Sequence, residues 1–312
     1  MGSSRPAPGG SHAHAARTPC RRPDPPRGPG RLPLFTNTDG GVDYLLSDEA
    51  IAAGTVAVEE VSEGGSVPNL LVENTGDSRV LFLEGEELRG AKQNRVLNTS
   101  VLVAARSKTT IPVSCVEQGR WRYRSRQFGH GGSHSSSKLR HFLKSSVTRS
   151  LKEERGHTSD QMAVWGEVSR QMDALGSSSE TGAMADTYES YKGKMDEFRA
   201  RLGYVEGAVG VAVAVGKQVV ALDLFDKAAT CRKVWDRLLS GAVMEALEVG
   251  KAEEQAGPGD VEALVARLRG MAWEPAPAVG EGEEYRSDAG EAHASALLVE
   301  GSVVHGSVVV AG

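Results

Sequence analysis

Three acidic residues lie close together after an apolar stretch, in the segment LFLEGEE. They are Glu84, Glu86 and Glu87. Gly85 permits a tight turn between the first two, so their carboxylates can cluster instead of alternating between faces. Carboxylates held close together raise one another's pKa, and such a set can act in acid–base catalysis or hold a magnesium ion. The alternative is a solvated acidic turn that forms salt bridges to Arg89 and Lys92.

Cations and amides follow these acids directly and form a second candidate set. They are Lys92, Gln93, Asn94 and Arg95. Together with the acids they make a dense polar patch between apolar strands, and their side chains supply hydrogen-bond donors that suit an anionic ligand. A solvated loop explains the same residues equally well, so the patch alone does not decide between a binding site and a turn.

Four arginines alternate with other residues in the segment RWRYRSR. They are Arg120, Arg122, Arg124 and Arg126. If the segment is extended, the two-residue period places the arginines on one face and Trp121 and Tyr123 on the other. A guanidinium binds phosphate or carboxylate through two parallel hydrogen bonds, so the row is typical of an anion clamp. The alternatives are a solvated face paired with acids elsewhere and, as a weaker option, a nucleic-acid track.

Cys115 and Glu117 stand two residues apart just before the arginines. They have the residue types of a nucleophile and a base, but no histidine lies near them in sequence. A buried structural cysteine is therefore the better interpretation of Cys115. Glu117 is kept as a candidate ligand-binding residue. The spacing of the histidines does not suit a metal site. Beyond the magnesium that the three acids could hold, the sequence therefore predicts no metal-ligating residues, and it contains no GxxxxGK[ST] loop for a nucleoside triphosphate.

Composition and charge limit the class of protein. The chain has 312 residues and a formal net charge of -5 at pH 7, so the whole protein is not an electrostatic binder of nucleic acid. Three widely spaced cysteines argue against a disulfide framework and favour a reducing compartment, which we expect to be the cytoplasm. The N-terminal residues lack the apolar core of a secretory signal. The most apolar run, at 208–215, is too short to span a membrane.

The order of the predicted elements indicates an α+β fold. Residues 1–31 are rich in proline, glycine and arginine and predict a disordered tail, whereas 32–312 predict a single domain. Short strands with period-two apolar residues predict a mostly antiparallel sheet in the N-terminal half, over 42–126. Apolar residues at helical spacing predict helices over 138–203, and the remaining 204–312 predict further hairpins and helices.

Two details of this prediction bear on the candidate site. The segment at 129–137 is rich in glycine, serine and histidine. We expect a flexible loop there that leads into a helix N-terminus, itself a favourable position for an anion. In the helix that follows, Leu139 and Leu143 belong to the predicted apolar face. Arg140 and Lys144 are therefore expected on its other faces.

Several longer blocks of sequence occur in a recognisable order. They are VSEGGSVP, LFLEGEELRGAKQNRVLN, IPVSCVEQGRWRYRSR, SDQMAVW, TGAMADTYE and VVALDLFD. From about residue 42 to the C-terminus the chain resembles the ARG and rhodanese-phosphatase-superfamily-associated protein domain. The resemblance implies that the protein is associated with ADP-ribosylglycohydrolases and rhodanese-type phosphatases. It therefore suggests a role in NAD, ADP-ribose or phosphate-ester metabolism. It implies no catalytic residue, so no role is transferred to any position.

The leading hypothesis is a protein that recognises a phosphorylated small molecule of the ADP-ribose or NAD type. The residues expected to hold its anionic groups are Lys92, Arg95, Arg120 and Arg122. Trp121 or Tyr123 would stack on a base. The three acids would bind ribose hydroxyls or magnesium, or catalyse a hydrolysis. The alternative is a non-enzymatic sensor or protein-interaction module, and the sequence does not decide whether any bond is broken.

Overall fold

Sixteen strands and seven helices form the described part of the chain, which in this computed structural model comprises residues 29–36, 40–250 and 254–311. The strands are β1 (Gly30–Leu34), β2 (Leu45–Leu46), β3 (Val56–Glu60), β4 (Asn69–Asn74), β5 (Val80–Phe82), β6 (Glu86–Gly90), β7 (Arg95–Leu97), β8 (Val101–Val103), β9 (Ser107–Cys115), β10 (Phe128–His134), β11 (Gly210–Val215), β12 (Gln218–Phe225), β13 (Glu274–Ala276), β14 (Glu283–Ala289), β15 (Ala292–Val299) and β16 (Ser302–Val310). The helices are α1 (Ser47–Ala52), α2 (Ser137–Lys152), α3 (Gln161–Ala174), α4 (Met184–Ser190), α5 (Lys192–Arg201), α6 (Ala228–Val249) and α7 (Pro258–Gly270). The predicted α+β class is confirmed, and most of the predicted tail at 1–31 lies outside the described residues.

The strands are arranged in three sheets. A seven-stranded sheet has the order β1-β11-β12-β16-β15-β14-β13, a six-stranded sheet has the order β10-β6-β7-β9-β4-β3, and a three-stranded sheet has the order β2-β5-β8. Within the described residues only β2 and β5 pair in parallel. The pairs β3 and β4, β6 and β7, and β11 and β12 form antiparallel hairpins, and β14, β15 and β16 form a meander. The N-terminal half is therefore mostly antiparallel sheet, as expected.

The three-stranded sheet is the middle layer, because its alternate residues belong to different apolar clusters. Leu81 and Leu102 pack in a cluster with residues of the seven-stranded sheet and α6. Phe82 and Val101, one position away, pack in a second cluster with residues of the six-stranded sheet. Successive side chains of a strand point to opposite faces. This explains why β5 and β8 are apolar at every position instead of at every second one.

The segment at 129–137 is not the flexible loop that its composition predicts. Most of it forms β10, which pairs antiparallel with β6 at the edge of the six-stranded sheet. A Cβ added to Gly131 would lie 2.8 Å from the carbonyl oxygen of Glu87, so only glycine permits this approach. Ser136 caps α2 by accepting a hydrogen bond from the backbone N–H of Leu139. The glycine in this segment thus allows close contact between strands, and the serine caps a helix.

Two helices cover the sheets near the candidate residues. Helix α2 packs on β15 and β16, whereas α6 packs on β10 and β11. The approach of α6 is close, because a Cβ added to Gly241 would lie 2.2 Å from the carbonyl oxygen of Ser135. None of the seven described helices combines the length and the apolar composition that crossing a bilayer requires.

Substituting Gly241 should test this close contact. We expect Gly241→Ala to lower the free energy of unfolding by about 1–3 kcal/mol, because the added methyl group forces α6 away from the chain after β10. Gly166→Ala is the matched control, since Gly166 also lies inside a helix but has open space around it. The control should leave the protein unchanged or raise its stability by up to about 1 kcal/mol. Urea denaturation midpoints measure both effects, and equal effects would contradict the close approach.

Candidate functional site

The three predicted acids are fully buried, and each carboxylate lies next to different basic side chains. The nearest basic side chains are Lys144 and Arg140 for Glu84, His130 and Arg237 for Glu86, and Arg89 for Glu87. Consecutive residues of β6 point to opposite faces of the sheet, which separates Glu86 from Glu87. The acids therefore do not form one carboxylate cluster. Within the described residues no group of three or more His, Cys, Asp or Glu side chains could hold a metal ion.

Glu84 belongs to a buried ionic centre between α2 and two of the sheets. We define this ionic centre as Glu84, Arg140, Lys144, Asp223 and His305. Lys144 contacts the Glu84 carboxylate and donates to Ser295 Oγ at 2.6 Å and Ser307 Oγ at 2.8 Å. Burial alone would raise the pKa of the Glu84 carboxyl, but the charges of Lys144 and Arg140 outweigh burial and hold this pKa at about 2. Glu84 is therefore ionised at neutral pH, and all three donors of the Lys144 ammonium are engaged.

Asp223 on β12 forms the other half of the ionic centre. Arg140 donates two parallel hydrogen bonds to its carboxylate, at 2.9 and 2.6 Å. His305 Nε2 lies 3.2 Å from Asp223 Oδ1, and its Nδ1 lies 2.7 Å from Ser100 Oγ. Because a carboxylate only accepts, the proton belongs on Nε2 and the Ser100 hydroxyl donates to Nδ1. Serine, histidine and aspartate also form nucleophilic triads, but here Ser100 is buried and Arg140 neutralises Asp223. The set is better explained as a structural connection between sheets.

The ionic centre was not predicted from the sequence. Arg140 and Lys144 lie on a different face of α2 from Leu139 and Leu143, but this face is buried as well, which the sequence did not predict. They are four residues apart, so they share a face with each other, beside that of Leu139 and Leu143. Two signals were present: cations at this spacing along the border of an apolar stripe, and an aspartate inside the apolar strand VVALDLF.

The predicted row of four arginines is split. Residues 120–126, which we call the aromatic loop, form an irregular segment instead of a strand, so a two-residue period does not apply. Arg120 is buried and donates to the two carboxylate oxygens of Glu117 at 2.7 and 2.6 Å. It also donates to the carbonyl of Ala91 at 2.6 Å and to Asn94 Oδ1 at 3.3 Å. Arg120 and Glu117 therefore fix the base of the loop, and Arg120 is not free to clamp an anion.

The outer part of the aromatic loop presents two rings to solvent. Trp121 and Tyr123 each keep 47% of their surface exposed. The ammonium of Lys92 lies 5.2 Å from the centroid of the Trp121 ring and 5.1 Å from that of the Tyr123 ring, within the range of cation–π attraction. Arg122 and Arg124 are exposed, and neither forms a salt bridge with a carboxylate of the described residues. The loop therefore combines ring surface with cations that have no fixed counter-charge.

Arg95 lies under this loop and is fully buried. Its NH1 group donates to the Gln93 carbonyl at 3.0 Å and to Gln93 Oε1 at 3.2 Å. Its Nε and NH2 groups make no hydrogen bond within the described residues, and NH2 lies 3.8 Å from Glu60 Oε1. The centroid of the Trp121 ring is 5.7 Å from Arg95 Cζ. A buried guanidinium with incomplete hydrogen bonding thus lies next to a half-exposed indole.

The fold brings most of the predicted ligand-binding residues to one place. They are Lys92, Gln93, Asn94, Arg95, Glu117, Arg120, Trp121 and Tyr123, with Arg122 at the exposed edge of the group. Gln93 Nε2 donates to the Glu117 carbonyl at 2.9 Å, and the Asn94 backbone N–H donates to Glu117 Oε2 at 3.0 Å. Cys115 is buried, as expected, and burial raises the pKa of its thiol. The predicted catalytic candidates Glu84, Glu86 and Glu87 make their contacts with other residues.

The ion pair of Glu84 and Lys144 should dominate the stability of this region. We expect Glu84→Gln to lower the free energy of unfolding by about 3–5 kcal/mol at neutral pH, because it leaves a buried ammonium without its counter-charge. The double variant Glu84→Leu/Lys144→Met should recover most of this loss, since it removes both charges together. Urea denaturation measures both variants. Equal destabilisation of the single and the double variant would show that the ion pair is not the cause.

Acid should destabilise the folded protein over the pH range in which Glu84 takes up a proton. Its pKa is about 2 in the folded state against 4.5 in an ordinary glutamate, so the unfolded chain binds the proton more readily. The contribution of Glu84 to stability is complete above pH 4.5 and is lost as the pH falls towards 2, by about 3 kcal/mol. Urea denaturation across this range should show the loss in the natural chain, and Glu84→Gln should show a shallower dependence. Parallel profiles would contradict the assignment.

A family comparison covers nearly all of the described chain. The family model of the ARG and Rhodanese-Phosphatase-superfamily-associated Protein domain matches residues 31–309, which include both the ionic centre and the aromatic loop. Comparisons with curated proteins and with solved structures found no match. The resemblance noted in the sequence is thereby confirmed, and this chain belongs to the family of the ARG and rhodanese-phosphatase-superfamily-associated protein domain.

Proposed function

We propose that this protein binds a phosphorylated small molecule of the nucleotide type at the aromatic loop and Arg95. One observation carries the proposal: the buried Arg95 guanidinium has two nitrogen groups without a hydrogen bond in the described residues, and it lies beside the half-exposed ring of Trp121. The family resemblance implies an association with ADP-ribosylglycohydrolases. ADP-ribose and NAD are therefore the first compounds of this class to test.

The hydrogen bonding of Arg95 favours an anionic ligand. A buried charge is costly unless it is paired and fully hydrogen-bonded, and Glu60 at 3.8 Å offsets only part of this cost. A phosphate group presents several acceptor oxygens and accepts two parallel hydrogen bonds from one guanidinium. Phosphate oxygens would satisfy the Nε and NH2 groups of Arg95 together once the adjoining Trp121 ring moves aside, because Arg95 is fully buried in this structure.

The exposed side chains of the loop favour a ligand that also carries a flat ring. Trp121 and Tyr123 offer ring surface on which a base can stack. Arg122 and Arg124 have no salt bridge to break before they approach a second phosphate. Arg120 contributes indirectly, because its bonds to Glu117 hold the loop in place.

The proposal is binding without hydrolysis. A hydrolytic site needs a base or a metal ion near the scissile bond. The carboxylates of Glu84, Glu86 and Glu87 contact separate cations, and Glu117 is engaged by Arg120. None of these four carboxylates is therefore free to act as a base next to Arg95. The contacts favour a ligand-binding or sensing role.

Thermal shift and calorimetry on the full chain should test the ring contact. A ligand at about a hundred times its dissociation constant adds roughly 2.7 kcal/mol of stability, so ADP-ribose, NAD or AMP should raise the melting temperature measurably. Trp121→Ala should weaken binding about tenfold or more, because it removes a stacking surface. Trp273→Ala is the matched control, since Trp273 is also partly exposed but lies outside the loop. A melt that no phosphorylated compound shifts would reject the proposal and favour a protein-interaction module.

The phosphate contact has its own variant in the same experiment. Arg95→Met should abolish the extra affinity of AMP over adenosine, because it removes the group that the phosphate contacts. Arg106→Met is the control, since Arg106 is exposed and paired with Asp77. An unchanged preference for AMP in the Arg95 variant would assign the phosphate to another residue.

A further inference from the structure

Lys92, in the turn between β6 and β7, joins two surface segments next to the proposed ligand site. Its ammonium donates hydrogen bonds to the carbonyl oxygen of Glu63 at 2.6 Å and to that of the next residue at 2.9 Å. The same ammonium contacts the rings of Trp121 and Tyr123. Lys92 therefore connects the aromatic loop to the turn after β3, at residues 61–65, which we call the Glu63 turn.

The ring of Trp121 packs against both the Glu63 turn and Arg95. A Cβ added to Gly65 of this turn would lie 3.2 Å from Trp121 Cζ2 and 3.1 Å from Lys92 Cδ, so the turn approaches both side chains closely. Arg95 Cζ lies over the ring, 5.7 Å from its centroid. The ring is half-exposed, whereas Arg95 is fully buried. Access to the guanidinium from this surface therefore depends on the position of the indole.

The backbone of the aromatic loop is anchored on both sides of Trp121 by Ala91. The carbonyl of Ala91 accepts hydrogen bonds from Arg120 NH1 at 2.6 Å and from the Arg124 backbone N–H at 2.9 Å. Its own N–H donates to Ser125 Oγ at 3.0 Å. These bonds hold Ala91 at a φ of 36°, in the left-handed region that non-glycine residues rarely adopt. Uncovering the guanidinium therefore requires rotation of the Trp121 side chain, not movement of the whole loop.

The contacts that hold the Lys92 ammonium are ones that an anion can replace. Its hydrogen-bond acceptors are neutral backbone carbonyls of exposed residues, so a ligand can approach the ammonium from solvent. A phosphate carries full negative charge, and its attraction for an ammonium exceeds that of a carbonyl dipole. A phosphate at this surface would therefore draw the ammonium away from the Glu63 turn and the two rings.

We propose that Lys92 is a latch that closes the proposed ligand site. In the ligand-free chain its ammonium holds the Trp121 ring over Arg95. A phosphate group of the ligand releases the ring by accepting the hydrogen bonds of the ammonium in place of the Glu63 turn. This release rests on the function proposed above, whereas the closed latch is a property of the chain alone. Lys92 is thus a positioning residue that controls when the buried guanidinium becomes available.

Chemical labelling of arginines on the full chain tests the closed latch without any ligand. Phenylglyoxal reacts with accessible guanidinium groups, and mass spectrometry of peptides locates the label. Arg95 should react at least about tenfold faster in Lys92→Met than in the natural chain, because the ring no longer stays over it. Lys92→Arg keeps the cation and should keep the natural rate. Lys108→Met is the matched control, since Lys108 is an exposed lysine that pairs with Glu73, and it should leave the rate unchanged.

Labelling of Arg140 in the same samples monitors folding, since Arg140 is buried in the ionic centre. Its rate should stay unchanged in Lys92→Met, because only the Trp121 ring moves. Trp121→Ala removes the ring itself and should expose Arg95 as well. An unchanged Arg95 rate in either variant would overturn the latch, whether or not the protein binds nucleotides. So would a rise at Arg95 that occurs only together with a rise at Arg140, because the opening would then be global.

Inorganic pyrophosphate tests the release of the ring, because it carries phosphate groups but no base that could stack on Trp121. It should raise the acrylamide quenching of Trp121 fluorescence in the natural chain roughly twofold, with Trp121→Phe subtracted as background. In Lys92→Met the quenching should already be high and should not respond. A melting temperature that pyrophosphate raises without any change in quenching would overturn release by an anion and leave ligand binding intact. A melt that no phosphorylated compound shifts would overturn both the proposed function and the release, while the labelling still decides the closed latch.

Discussion

The packing of this fold depends on two cationic side chains that lie on one face of α2 and are buried in the interior. Arg140 and Lys144 lie where α2 packs on β15 and β16, and Asp223 of β12 and Glu84 supply the counter-charges. Removing ions from water costs several kcal/mol per ion, and attraction offsets this cost only when the hydrogen bonds are complete. Here they are nearly complete, since Arg140 binds both oxygens of Asp223 and Lys144 uses all three donors. Sliding α2 by one residue would leave buried charge unpaired, so the ionic centre fixes the register of helix against sheet.

Buried charged side chains in this chain differ in how completely they are hydrogen-bonded. This difference, more than burial, distinguishes a charge that only stabilises the fold from one that could contact a ligand. Lys144, Arg95 and Glu86 are all fully buried. Lys144 has a partner for every donor, whereas Arg95 and Glu86 have polar atoms that no described residue contacts at hydrogen-bond distance. A satisfied buried charge restricts packing, and an unsatisfied one is costly until a further group supplies the missing bond. The proposed ligand contact of Arg95 rests on this difference.

Elements whose contacts are local in sequence could be predicted from the sequence. Elements and side-chain contacts that depend on residues far apart in the chain could not. The hairpin of β11 with β12 and the helices α2 and α3 follow from local periodicity and turn residues. Strand β10 does not, because glycine and serine indicate a loop unless the facing Glu87 backbone is known. The contact of Glu84 with Lys144 joins residues 60 positions apart, and that of Lys144 with Ser307 joins residues 163 apart. Local patterns show which residues are charged but not which charge each one meets.

The arginines of the aromatic loop show the same limit within a single segment. Equal spacing predicted one shared role, yet Arg120 is buried against Glu117 while Arg122 and Arg124 are exposed. What differs is the group that the fold places opposite each guanidinium: a carboxylate and backbone carbonyls for Arg120, and solvent for the other two. Arg95 was one member of a polar run, with nothing local to distinguish it. It becomes the strongest candidate for an anion because the fold buries it beside Trp121 and provides acceptors for only one of its three nitrogen groups.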